Sequence, residues 1–109
     1  MIRAVVFRDE DRKVRAFSIS GHAGYAPSGE DIICAAVSVL TINTINSIEK
    51  LTKDRFESQI EEASGDVSFT LTDEFSEETQ LLLEAFVIGL DGIEQSYGSQ
   101  YIHLEVQSY

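Results

Sequence analysis

The 109-residue sequence predicts an α+β layer fold, two helices packed on a mostly antiparallel sheet in the order ββαββαβ. Three observations carry this reading. Apolar residues alternate with polar ones in five short segments, they recur at helical spacing in two longer ones, and compact polar turns join the strands of two hairpins.

The first hairpin is "IRAVVFRDEDRKVRAFSIS". Ile2 to Arg8 and Lys13 to Ser20 are β-rich, and Asp9-Glu10-Asp11 form the turn. Residues 21–30 read as a loop. From Asp31 the period becomes helical, with Ile33, Val37, Leu40 and Thr44 in one row and Ile32, Ala36, Val39 and Asn43 in another. Apolar side chains almost all round the first turns predict a central, buried helix. It should run to about Lys53, with Lys50 and Lys53 at its negative end. A second hairpin follows, turning at Ser64-Gly65-Asp66 and aiming Val67, Phe69 and Leu71 at the core. Ser76 reads as the N-cap of a second helix, followed by Glu77 and Glu78. Leu82, Phe86, Ile93 and Tyr97 fit its core stripe, and Gly98 its stop. The closing strand places Ile102, Leu104 and Val106 on one side.

The length suits one domain over residues 1–109, with no repeat, linker or low-complexity segment. The run of apolar residues never approaches the roughly 20 of a membrane span, and the charged N-terminus does not read as a secretory signal. One cysteine excludes an internal disulfide and a cysteine-rich zinc site, so a cytoplasmic protein with a reduced thiol is expected. One cysteine and two distant histidines also make a poor metal set, and no cofactor is expected. A net charge of −11 argues against direct nucleic-acid binding and favours cationic partners, although surplus acid also simply keeps domains soluble.

The chemistry concentrates between Ser20 and Leu40, in "SGHAGYAPSGEDIICAAVSVL". A thiolate gains from a helix N-terminus, whose partial positive charge and free N–H groups favour the anion. With Asp31 as N-cap, Cys34 is the third helical residue, and the same N–H groups could receive an oxyanion. Ser28 as cap would push Cys34 deeper. His22 directly follows the predicted strand and Gly21 and could pair with the thiolate, then protonate a leaving amine. The plain alternative is an inert core cysteine in "IICAAV". Asp31 reads first as a cap and second as an orienter of His22. Ser38 reads first as a small core residue and second as a supporting hydroxyl. His103 reads as exposed or edge-of-core. Residues 23–30, "AGYAPSGE", read as a mobile lid, with a rigid surface loop whose glycines only serve turns as the plain alternative. Gly24 and Gly29 are its pivots, Gly21 a third, and Tyr25 its one large side chain.

"SGHAGYA" followed by "GEDIICAAVSVL" resembles the signature of the ribosomal-processing cysteine protease family. The motif covers about a fifth of the chain, while the family's domain size matches all of it. The resemblance implies a cytoplasmic bacterial endopeptidase, usually a homodimer. The family removes a short N-terminal extension from the large-subunit ribosomal protein L-twenty-seven at an apolar, Phe-containing site. By position, Cys34 matches the nucleophile and His22 the general base, while Asp31 and Ser38 match further motif positions. Two rivals remain at this point: a non-catalytic ribosome-assembly or interaction module of the same fold, and a thiol redox sensor, which would lack a resolving cysteine within the chain.

Overall fold

A computed structural model describes residues 1–27 and 30–109. The elements are β1 (Ile2–Arg8), β2 (Val14–Ser20), α1 (Ile32–Leu51), β3 (Phe56–Glu61), β4 (Asp66–Leu71), α2 (Glu77–Tyr97) and β5 (Ile102–Ser108). They form a five-stranded sheet of order β3-β4-β2-β1-β5. The pairings β1–β2, β2–β4 and β3–β4 are antiparallel, and β5 joins β1 in parallel.

Both helices lie on one face of this sheet. Alternation explains which: Ala4 pairs with Ile19 and Val6 with Phe17 across β1–β2, and Phe17 with Phe69 and Ile19 with Val67 across β2–β4. All of these side chains are buried. Phe17 stacks on Phe69 at 5.0 Å and meets Phe86 of α2 at 4.5 Å between centroids, so the sheet and α2 share one aromatic centre. Burial of each such ring contributes about 1.5–3 kcal/mol.

The helix ends are held by side chains. Ser76 caps α2 by accepting from the Thr79 N–H at 3.2 Å, and Gly98 ends that helix with φ 113°. α1 stops at Leu51, with Thr52 as C-cap and Lys53 beyond it. The reason is tertiary. Thr79 Oγ1 lies 3.3 Å from Thr52 Oγ1, and Asp54 Oδ2 accepts from the Ser76 N–H at 2.7 Å and its hydroxyl at 2.8 Å. The start of α2 thus fixes the chain leaving α1.

Three details of patterning differ from the sequence reading. The row Ile32, Ala36, Val39, Asn43 faces solvent, with Ile32 53% and Val39 70% exposed, because the sheet and α2 cover only two sides of α1. The core stripe of α2 is Leu83, Phe86 and Leu90 with Thr79 and Gln80, while Leu82 and Ile93 are half-buried and Tyr97 is exposed. Three consecutive leucines leave the phase open in the sequence. Gln80 sets it by pairing its side-chain amide with both main-chain groups of Val14, at 2.9 and 2.8 Å. Along β5, Ile102 is buried, Leu104 half-buried and Val106 exposed. Finally, α1 is by length and mean hydropathy (1.5) apolar enough to cross a bilayer, although the apolar run is interrupted by Ser38 and Thr41. Its buried row Ile33, Val37, Ile45, Ile48 packs into the domain core instead.

Candidate active site

The site forms where β2 ends and α1 begins. Asp31 is the N-cap of α1, and its Oδ1 accepts from the N–H groups of Ile33 and Cys34, both at 3.0 Å. Cys34 is therefore the third helical residue; Ser28, the alternative cap, lies outside the described residues. The Asp31 main-chain carbonyl accepts from Ala35 at 3.1 Å. The Asp31 side chain thus engages two of the free first-turn N–H groups that the sequence offered for an oxyanion, and the Ala35 bond is the first of the helix itself. Its Oδ2 reaches back over the loop and accepts from the Tyr25 N–H at 3.0 Å.

The cysteine is half-buried rather than sealed in the core. Its Sγ accepts a hydrogen bond from the Ala23 N–H at 3.4 Å. His22 is exposed and shares two concavities with Cys34. The tighter one, about 220 Å³, has a largely apolar wall of Ile2, Ile19, Val37 and Val67. The shallower one brings Gly24, Asp31 and Ala63 beside the same pair. Ser38, one turn beyond Cys34, is exposed and lines both, so it is not a core residue. Asp31 makes no hydrogen bond to His22 among the described residues; its bonds are those of a cap.

Glycine geometry places His22. Gly21 has φ 83°, its N–H meets Asp66 Oδ1 at 3.3 Å, and a Cβ there would collide with the Met1 carbonyl oxygen. Its need for glycine is thus a turn and a close approach. Gly24, with φ 68° and open space around it, is the freer of the two; Gly29 lies outside the described residues. Tyr25 rests edge-on against Tyr97 and Tyr101, with centroids 5.8 and 5.2 Å away. His103 stands apart, half-buried at the sheet edge with Nδ1 3.3 Å from Glu94 Oε2. Among the described residues no group of three or more His, Cys, Asp or Glu could hold a metal ion.

The N–H of Cys34 is the main reason the Asp31 carboxyl lies below its ordinary pKa; partial burial opposes it, and the N–H groups of Tyr25 and Ala26 add to it. A lowered folded-state pKa means stability that is present above the unfolded value of about 4 and lost as pH falls through the folded one. Asp31→Asn keeps a capping oxygen and removes the charge. The melting temperatures of the two proteins should therefore differ at pH 6 and converge near pH 2, measured by circular dichroism. A gap that persists in acid would assign the difference to something other than this charge.

A model of the Cys protease Prp family matches residues 1–103. This chain belongs to the Prp cysteine protease family. It is accordingly a cysteine protease, and the non-catalytic module gives way as a reading. The Prp ribosomal processing cysteine protease of Bacillus subtilis is 31% identical over 101 residues, covering 89% of this chain and 90% of that one. The Staphylococcus aureus Prp proteins are 29% identical over 97 residues, covering 89% and 92%. An S. aureus Prp structure with a covalently linked product peptide superposes with a TM-score of 0.93 at 28% identity, over 98% of this chain and all of that one. A second, with a substrate peptide, gives 0.87 at 27% identity over the same shares.

The sequence reading missed several parts of this site. Ile2 and Ile19 were legible only as core strand residues, and Ser64-Gly65 only as a turn, yet all four line the cavity beside Cys34. Ala23 was legible only as the first residue of the loop, since its contribution is a main-chain N–H.

Proposed function

We propose that this Prp family member is a cytoplasmic endopeptidase that removes the N-terminal extension of ribosomal protein L-twenty-seven, with Cys34 as nucleophile and His22 as general base and acid. The observation that carries the reading is the half-buried Sγ at the first turn of α1, hydrogen-bonded by a main-chain N–H and opening on a cavity that His22 also lines. In this mechanism His22 takes the thiol proton. The sulfur attacks the scissile carbonyl carbon, and the imidazolium gives its proton to the departing amine. His22 then activates the water that releases the acyl-enzyme. Asp31 holds the helix start, and Ser38 is a supporting hydroxyl on the same wall. The apolar wall suits an aromatic side chain next to the cut. Incubation with the extended substrate and mass measurement of the products tests the reading; an uncut extension sinks it.

The lid belongs to the same proposal. Ala23 is buried and the Tyr25 N–H is tied to Asp31, so opening would swing the Tyr25 ring off Tyr97 and Tyr101 while the main chain at 23–25 stays in place.

The acidic surface, with its net charge of −11, would steer a basic ribosomal protein toward the site. Raising salt from low to physiological ionic strength should lower kcat/KM for the full-length substrate and leave a short neutral peptide nearly unaffected. Equal salt response in both would reduce the charge to a solubility feature.

A homodimer is part of the reading. The two helices leave Ile32, Val39, Leu81 and Ile88 exposed, apolar side chains that a second copy of the chain would cover. Sedimentation should give twice the chain mass, and Val39→Glu with Ile88→Glu should return the monomer. A parent protein that sediments as a monomer at micromolar concentration would remove the dimer.

A further inference from the structure

We infer that the main-chain N–H of Ala23, and not the N-terminus of α1, is the donor that receives the oxyanion. This rests on the reading of Cys34 as nucleophile. A thiolate at a helix start suggests an oxyanion held by the helix N–H groups, but here two of them, that of Cys34 included, are engaged by the Asp31 side chain. Ile33 and Cys34 donate to Asp31 Oδ1, both at 3.0 Å, and Ala35 donates to the Asp31 carbonyl at 3.1 Å. A donor already bonded to a carboxylate has little to offer a second anion.

The Ala23 N–H is differently placed. It points at the sulfur itself, at 3.4 Å. When the sulfur pair forms the S–C bond, the carbonyl π pair moves onto oxygen, one bond away from the carbon just attacked. The negative charge leaves sulfur and appears beside it, and a donor aimed at sulfur needs only a small shift to follow it. Collapse re-forms the C=O bond and expels the amine nitrogen, which takes the proton held by His22.

Effective oxyanion donors are fixed before the reaction. The segment carrying Ala23 is held at three points. The Gly21 N–H bonds Asp66 Oδ1 at 3.3 Å, the Ala23 methyl is buried, and the Tyr25 N–H bonds Asp31 Oδ2 at 3.0 Å. Asp31 is thereby a positioning residue with two effects: it occupies two of the helix N–H groups and ties down the strand of backbone that presents the competing donor.

The experiment removes the N–H without touching a side chain, by placing lactic acid at position 23 so that the peptide bond after His22 becomes an ester. Turnover of the extended substrate should fall roughly 10²–10³-fold, the loss typical of one oxyanion donor, with KM little changed. The fall should persist when each protein is assayed above its own iodoacetamide alkylation midpoint. A protein that turns over like the parent overturns the inference, and so does one whose activity recovers above that midpoint, which would make the N–H only a ground-state partner of sulfur. A second arm uses the unmodified protein and so does not depend on the ester folding. N-acetyl-Phe-phenylalaninal should add to Cys34 as a hemithioacetal, and the Ala23 amide proton should move downfield while those of Ile32 and Cys34 stay. Movement at Ile32 or Cys34 instead overturns the inference. Absence of any adduct removes Cys34 as nucleophile, and with it the reading on which the inference stands.

Discussion

Cys34→Ala should lose cleavage of the proposed extended substrate by at least roughly 10⁴-fold, because without the proposed nucleophile only binding and oxyanion contacts remain. The fold should tolerate the change. Cys34 is half-buried, its sulfur makes one weak hydrogen bond at 3.4 Å, and alanine suits an α-helix. The melting temperature should move by a few degrees at most, and affinity for an uncleaved substrate peptide should persist because the cavity walls are unchanged. His22→Ala in the native-cysteine background should slow iodoacetamide alkylation near neutral pH. Mass spectrometry of cleavage products, calorimetric binding and alkylation rates separate these effects. A Cys34→Ala protein that still cuts would end the assignment of the nucleophile.

Gly21→Val should impair both fold and activity. Its φ of 83° costs a β-branched residue about 1–3 kcal/mol, and its Cβ would drive into the Met1 carbonyl oxygen, displacing the start of β1 or the end of β2. His22 follows directly, so displacement at position 21 moves the proposed base relative to Cys34. Gly65→Ala isolates the strain component, since Gly65 has φ 78° but nothing within 4 Å of its would-be Cβ. The expected order is a small stability loss for Gly65→Ala. Gly21→Val should lose more stability, and its turnover should stay below that of the parent even at temperatures where it is fully folded. Equal melting temperatures and equal turnover for Gly21→Val and the parent would mean that Met1 and the loop yield without consequence.

The sequence by itself determined the element types and their order, the two hairpin turns, the cap Ser76 and the stop at Gly98, and it left the first helix's cap between Asp31 and Ser28. Each of these is local: a period, a turn residue or a capping oxygen acts within a few positions. It also marked one stretch as the candidate site, because a cysteine, a histidine and a cap fall within one short motif. Only the tertiary structure decided the rest. The parallel placement of β5 against β1 has no local signal, and neither does the phase of α2, which Gln80 sets by bonding Val14 across the fold. The exposed row of α1 looked buried because apolar periodicity shows that a side chain can be covered, not that a neighbour covers it. The sequence also favoured the helix start as an anion site, and the structure fills that start with Asp31. It presents instead the N–H of Ala23, a group every residue but proline carries, made particular only by where the backbone around Gly21 and Gly24 points it.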